Sequence, residues 1–195
     1  VHHFAEQIID FIEQKESFGI SIAISDERDL LRETGGGIKH AAHLLKSDHF
    51  LVHNVDIISN LDLSLFEEKY LETEKEHNNS ERPLLATILV SKRKTQRFFL
   101  FDSRNNLVGW TNIATGEVRS PFPGLDPGKC RKLAFAGIHN ISERVFPLME
   151  KWPERFSIVD FYIGNCDKYI IKGIEIPELS IRDVGKISDL KQLNC

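Results

Sequence analysis

Apolar positions recur along this chain in two different periods, and together the two periods predict a mixed α/β protein. Helical spacing of apolar residues predicts helices over 4–12, 38–45, 64–71, 142–149 and 156–162. Alternating or continuous apolar runs predict strands over 18–24, 50–52, 84–90 and 132–139. Since helices and strands follow one another through most of the chain, a central sheet with packed helices is the expected architecture.

Two regions add detail to this outline. Short apolar runs over 98–101, 107–110 and 115–119 are separated by turn residues and predict a small antiparallel extension. Ser64 and Glu67 have the spacing of a capping box and predict the start of the third helix. A further helix is expected to begin at Ser188.

Chemically, the most informative stretch runs from Glu33 to Asp62. Gly35, Gly36 and Gly37 predict a turn that can take positive φ, with free N–H groups at the following helix start that could face a base or a phosphate. An isolated triple glycine is more often a flexible loop, and that alternative stays open. The Walker A loop and the dinucleotide fingerprint are excluded because their glycine spacings are absent.

Asp56 follows the apolar strand 50–52 closely. A carboxylate at a strand end can reach a ligand crevice and hold Mg²⁺, which prefers carboxylate and phosphate oxygens. An Asp that caps the next turn is the alternative. An EF-hand is excluded, since Ile57 and Ile58 stand where oxygen ligands are required.

Composition narrows the class of protein. A chain of 195 residues predicts one domain over 1–195. The net charge of -4 does not indicate a basic surface that would bind nucleic acid. No apolar run predicts a membrane span. The cysteines, Cys130, Cys166 and Cys195, are odd in number and lack metal spacing, so a reduced, cytoplasmic protein is expected.

The segment Leu-Arg-Glu-Thr-Gly-Gly-Gly-Ile-Lys (31–39), followed by Phe-Leu-Val-His-Asn-Val-Asp (50–56), resembles the sugar-1-phosphate nucleotidyltransferases. The likeness is greatest to the mannose-1-phosphate guanylyltransferase and N-acetylmuramate-1-phosphate uridylyltransferase branch. It implies a Rossmann-like nucleotide-diphospho-sugar transferase fold, with a mostly parallel central sheet. The implied reaction joins a nucleoside triphosphate and a sugar 1-phosphate to give an NDP-sugar and pyrophosphate.

The resemblance also implies roles for individual residues. The Phe-Ala-Gly-Ile segment at 135–138 and Asp-Val-Gly at 183–185 match further family motifs in the family's order. The implied nucleotide-binding residues are Glu33, Thr34, Gly35 and Gly36; Gly137 and Asp160 are implied near the sugar; Asp56 and Asp183 are the implied catalytic Mg²⁺ ligands. For Asp160, a helix-start or packing role is favoured over sugar binding.

The chain departs from the family pattern in several places. Ile181 replaces an aromatic residue and Lys186 a threonine beside Asp183, and Gly109-Trp110 stands where many relatives have Glu-Lys-Pro. The family's Gly-rich signature and Pro-Lys pair, which clamp the triphosphate, have no counterpart in this sequence. We therefore expect an N-terminally incomplete domain that lacks its first strand, about a quarter of the whole, and that is inactive without this clamp.

From the sequence, the expected function is nucleotidyl transfer, with GTP and mannose 1-phosphate as the first choice of substrates. A non-catalytic nucleotide- or sugar-binding regulatory domain on the same scaffold is the alternative. A glycosyltransferase is less favoured, because Asn54-Val55-Asp56 supplies one carboxylate where an Asp-x-Asp motif supplies two. The sequence leaves the oligomeric state open, a homo-oligomer included.

Overall fold

The computed structural model describes residues 1–185, which divide into two units. The first comprises residues 1–47 and 144–161, and the second comprises residues 48–143 together with the chain from 162 onward. The prediction of a single domain over 1–195 stays a prediction. The helix expected from Ser188 and the residue Lys186 lie outside the described residues.

Five α-helices and nine strands make up the described chain. The helices are α1 (Ala5–Gln14), α2 (Glu33–His40), α3 (Leu63–His77), α4 (Val145–Met149) and α5 (Ile158–Asn165). The strands are β1 (His49–His53), β2 (Ile57–Ser59), β3 (Leu84–Ser91), β4 (Arg97–Phe101), β5 (Leu107–Asn112), β6 (Glu117–Arg119), β7 (Arg131–Ser142), β8 (Ile170–Ile174) and β9 (Ile181–Asp183). Most predicted elements are thereby confirmed.

The sheet of the second unit is organised by the long strand β7. Its strands follow the order β6-β5-β4-β7-β3-β8, and β1 pairs with β7 as well. The first residues of β7 pair with β4, its last residues pair with β1, and β3 lies along its other side. Strands β2 and β9 form a separate two-stranded ribbon.

The α/β class is confirmed, but the expected parallel arrangement is wrong for most of this sheet. Among the strands of residues 1–185, only β3 and β8 pair in parallel, whereas β7 runs antiparallel to β1, β3 and β4. Strand β1 is thus an antiparallel strand that ends beside β7. The sheet is mostly antiparallel because β7, with 12 residues, is long enough to pair with three strands and runs antiparallel to each of them.

The core of the second unit forms where α3 covers the sheet. Phe66 and Tyr70 of α3 are fully buried, and Tyr70 packs with Leu84 and Ile170 at the start of two neighbouring strands. The helix is capped by Asp62, whose side chain accepts hydrogen bonds from the N–H groups of Ser64 and Leu65. The predicted capping box at Ser64 is therefore wrong, because the helix begins at Leu63 with Asp62 as its N-cap, and Ser64 already lies within the first turn.

A neutral polar pair is buried in the same unit. The Nδ1 atom of His139 on β7 lies 2.6 Å from the hydroxyl of Tyr162 on α5. Burial lowers the pKa of His139 to about 3 and raises that of Tyr162 well above its usual value. With both groups neutral, the two side chains can share this hydrogen bond without a counter-charge.

In the first unit, the triple glycine is helical, not a turn. Helix α2 begins at Glu33 and includes all three glycines. A Cβ atom at Gly35 would lie 2.4 Å from the Phe156 ring, and one at Gly36 would lie 2.1 Å from the Glu154 carbonyl oxygen. The glycines therefore permit close packing of the helix against 154–156, which explains why a sequence of low helix propensity is helical here.

The strand predicted over 18–24 is also wrong. Residues 16–19 form a 3₁₀ turn, and Phe18, Ile20 and Ile22 are 56%, 66% and 37% exposed. A strand needs a neighbouring strand to satisfy its N–H and C=O groups, and none of the strands among residues 1–185 pairs with this segment.

Among the helices of residues 1–185, none combines the length and the apolar character that crossing a membrane requires.

We expect Gly36→Ala to lower the free energy of unfolding by about 1–3 kcal/mol, because its methyl group would meet a backbone carbonyl that cannot move away cheaply. Gly37→Ala is the matched control. Its Cβ would meet only the Glu27 carboxylate, at 2.9 Å, and alanine favours a helix by about 1 kcal/mol over glycine. Urea denaturation of both variants checks this, and equal destabilisation would contradict the packing role of Gly36.

Acid should destabilise the fold through His139. Its folded pKa of about 3 lies below the ordinary histidine pKa of 6.5, so between these values the unfolded chain binds a proton that the folded chain does not. The stabilisation is complete above about pH 6.5 and is lost, at about 1.4 kcal/mol per pH unit, as the pH falls toward 3.

Urea denaturation from pH 7 to pH 4 measures this effect. The wild type should lose stability more steeply than His139→Gln, whereas His53→Gln, which removes an exposed histidine of β1, should follow the wild type. Parallel curves for wild type and His139→Gln would refute the assignment.

Candidate active site

The second unit brings Asp56 and Asp183 to one point. Ile57 pairs with Asp183 in the ribbon of β2 and β9, and the N–H of Val184 donates to the Asp56 carbonyl oxygen at 2.8 Å. A Cβ atom at Gly185 would lie 2.9 Å from Oδ2 of Asp56 and 3.3 Å from Oδ1 of Asp183. The two carboxylates therefore flank the same small space, which only a glycine at 185 leaves open.

The charge of this pair is not balanced within residues 1–185. Neither Asp56 nor Asp183 has an ion pair there, and the Gly185 N–H donates to Oδ1 of Asp183 at 3.2 Å. Two carboxylates this close repel each other unless a cation or a proton lies between them. No group of three or more His, Cys, Asp or Glu side chains that could hold a metal occurs in the described chain. Asp56 and Asp183 form a pair of carboxylates within it.

Gly137 contacts Asn54, which precedes Asp56 by two residues in the chain. The pairing of β3 with β7 is irregular between Ile88 and Val90, and Gly137 has φ +76° there. Its carbonyl oxygen accepts from the Asn54 N–H at 2.9 Å, and a Cβ on it would lie 2.7 Å from Nδ2 of Asn54. A side chain at 137 would thus be strained and would collide with Asn54.

A tight turn connects Asn54 to the carboxylate. The Ile57 N–H donates to the Asn54 carbonyl oxygen at 3.1 Å, which fixes Asp56 within the turn. The structure thus brings Asp56 and Asp183 together, and it places Gly137 against Asn54, two residues before Asp56. The sequence pattern does not predict a role for Asn54 or Gly185. The feature that could have indicated them is their position in the same motifs as Asp56 and Asp183.

The predicted nucleotide-binding residues lie in the first unit. Arg155 Nε donates to the Glu33 carboxylate at 2.9 Å, and Thr34 Oγ1 accepts from the Ile158 N–H at 3.0 Å. The N–H groups of Gly35 and Gly36 both donate to the Phe156 carbonyl oxygen, at 2.9 and 3.1 Å. The expectation of free N–H groups at this helix start is wrong, whereas the nucleotide-binding role of the four residues stays a prediction.

Asp160 also belongs to the first unit. It lies half-buried in the first turn of α5, where the helix dipole favours a negative charge. This position agrees with the favoured helix-start role, and sugar binding by Asp160 stays a prediction.

Sequence comparison finds a partial relative. The chain matches no protein-family model. Over 60 residues it is 45% identical to the N-acetylmuramate alpha-1-phosphate uridylyltransferase of Caulobacter vibrioides. This match covers 30% of the present chain and spans 25% of the length of that relative.

Solved structures resemble nearly the whole chain. HddC from Yersinia pseudotuberculosis, complexed with GMP-PN, superposes with a TM-score of 0.65 at 17% identity and covers 98% of this chain and 74% of its own. The inositol-1-phosphate CTP transferase of T. maritima has a TM-score of 0.64 at 13% identity, over 97% and 69%. The UDP-glucose pyrophosphorylase of Acinetobacter baumannii superposes with a TM-score of 0.63 at 16% identity. The superposition covers 96% of the present chain and 67% of the pyrophosphorylase chain.

At these identities the structural likeness establishes the fold. The chain has the fold of the nucleotide-diphospho-sugar transferases, and its resemblance to the sugar-1-phosphate nucleotidyltransferases is confirmed.

Proposed function

We propose that the protein is a nucleotidyltransferase, which joins a nucleoside triphosphate and a sugar 1-phosphate to give an NDP-sugar and pyrophosphate. The observation that carries this proposal is the pair Asp56 and Asp183, which is drawn together from distant parts of the chain around Gly185. Support comes from the uridylyltransferase to which part of the chain is similar, and from the fold it shares with a CTP transferase and a pyrophosphorylase.

The carboxylate pair is chemically suited to Mg²⁺. Magnesium is bound through one or two carboxylates and completes its shell with water and substrate phosphates. Two carboxylates that have no ion pair within residues 1–185 are therefore an appropriate donor set. Gly185 leaves the intervening space free of a side chain. We infer that Asp56 and Asp183 hold the ion, which supplies charge neutralisation for the phosphates of the two substrates.

The chain's own residues act mainly by positioning. In nucleotidyl transfer, a phosphate oxygen of the sugar 1-phosphate attacks the α-phosphorus in line, and pyrophosphate departs on the opposite side. No protein nucleophile is required. The turn Asn54–Ile57 and the bond from Val184 to Asp56 fix the carboxylates. Gly137, proposed near the sugar, would act by letting Asn54 pack against the β7 backbone. Glu33, Thr34, Gly35 and Gly36 would bind the nucleotide.

The base and the sugar are proposed on resemblance alone. GTP with mannose 1-phosphate is our first pair, but the relatives named above are a uridylyltransferase, a CTP transferase and a UDP-glucose pyrophosphorylase. A substrate panel is therefore the appropriate assay. We also propose a reducing, cytoplasmic location, since Cys130 and Cys166 are free thiols.

A regulatory domain that binds nucleotide or sugar without turnover is the second candidate. The observation in its favour is the use of the Gly35 and Gly36 N–H groups by the Phe156 carbonyl, which removes two donors from a nucleotide contact. Nucleotide binding without release of pyrophosphate from any substrate pair would select this candidate.

Asp56→Asn and Asp183→Asn should each lower turnover at least about a hundredfold, because each removes a charge that holds the cation against the developing transition state. Pyrophosphate release, measured with Mg²⁺ over a panel of nucleoside triphosphates and sugar 1-phosphates, checks this. Both variants should fold normally, since neither carboxylate has an ion pair to lose within residues 1–185.

The control for this experiment is Asp10→Asn, which removes one exposed carboxylate from α1 and should leave turnover unchanged. Circular dichroism and urea denaturation establish that the variants are folded. Full turnover by Asp56→Asn, with an unchanged dependence on Mg²⁺, would overturn the assignment.

A further inference from the structure

A polar cavity, separate from the carboxylate pair, lies at the end of the sheet where β3 and β8 begin. Its volume is about 340 Å³. Four separate segments line it: the end of α3, the loop before β3, the turn between β4 and β5, and the first residues of β8. The lining residues are His77, Ser80, Glu81, Arg82, Arg104, Asn106, Ile170 and Lys172.

The cavity has an excess of positive charge. Arg82, Arg104 and Lys172 line it against the single carboxylate of Glu81. None of the three cations has an ion pair with a carboxylate in residues 1–185. A solvated basic surface would show the same excess, so charge alone does not make this a site. The buried polar atoms of Arg82 and Asn106 provide an independent observation.

Arg82 is held rigidly and retains a donor. Its Nη2 donates to the carbonyl oxygens of Cys166 and Tyr169, at 2.5 and 3.3 Å. Its Nε is buried and has no acceptor among the described residues. Because an unsatisfied buried donor is costly, this N–H is suited to an incoming oxygen atom.

Asn106 provides the complementary acceptor. The residue is 7% exposed, and its Nδ2 donates to Oδ2 of Asp102 at 3.1 Å. Since a carboxylate can only accept, this contact fixes the orientation of the amide and directs Oδ1 away from Asp102. Oδ1 is buried without a donor among the described residues.

We propose that this cavity binds the phosphate group of a small molecule, either inorganic phosphate or a phosphate monoester. Phosphate oxygens accept from the Arg82 Nε–H and from the cations Arg104 and Lys172. An O–H of the same ligand donates to Asn106 Oδ1. Sulfate carries the same charge but has no proton at neutral pH, so it leaves that acceptor unpaired.

This site is distinct from the carboxylate pair. Leu84 lies at the first end of β3, whereas Leu89, near the other end, packs with Ile57 beside Asp56. Five residues of strand separate these positions by about 17 Å. The inference does not depend on the proposed function, and the Asp56→Asn variant should bind phosphate as the wild type does.

Isothermal titration calorimetry of the full chain, in Mg²⁺-free buffer of constant ionic strength, tests the proposal with inorganic phosphate, glycerol 3-phosphate and sulfate. We expect saturable binding of phosphate and binding of sulfate at least roughly tenfold weaker, because one buried acceptor stays unpaired. The two phosphate probes distinguish a site for the free ion from one for a monoester.

Variants locate the binding. Arg104→Gln and Lys172→Gln should each weaken phosphate binding roughly tenfold, whereas Lys94→Gln, which removes an exposed lysine beyond the other end of β3, should not. ¹⁵N NMR should show a shift of the Arg82 Nε–H signal on titration. Equal affinity for sulfate, equal effects of Lys94→Gln and Lys172→Gln, or no saturable binding would each overturn the proposal.

Discussion

The interrupted pairing of β7 is the constraint on which the second unit depends. One long strand pairs with β4 before Gly137 and with β1 after it, while β3 follows its other side across the irregularity. The positive φ of Gly137 makes this change possible and brings the β7 backbone against Asn54. The end of β1 is thereby fixed, and the turn that carries Asp56 starts from a defined position. Gly137 therefore affects both the strand pairing of the sheet and the position of the turn that carries Asp56.

Local apolar patterns were sufficient to predict most elements. The run over 84–90 is buried along its whole length as β3, and the amphipathic segment 4–12 is helical as α1. Strand direction is set by long-range pairing, which no local pattern contains, so the antiparallel neighbours of β7 were not predicted. The segment 18–24 has an alternating pattern but no strand to pair with among the described residues, and there the pattern alone is insufficient.

In the candidate site, too, local motifs predicted some features and long-range contacts determined the others. Asp56 and Asp183 were predicted from motifs, and the ribbon of β2 and β9 brings them together although they are remote in sequence. The glycines at 35 and 36 were expected to form a turn with free N–H groups. Their actual conformation depends on Phe156 and Glu154, more than a hundred residues later, whose carbonyls and ring occupy the space that side chains would fill. Only the tertiary contact shows that these glycines pack within a helix and do not form a turn.

The ribbon of β2 and β9 pairs only three residues of each strand. A ribbon this short has few hydrogen bonds to hold it closed. A cation that binds both Asp56 and Asp183 would bind the closed ribbon and not the open one, and would therefore stabilise it by mass action. Occupancy of the cation site and protection of the Val184 amide from hydrogen exchange would then rise and fall together. The cation would thus also stabilise the pairing of β2 with β9.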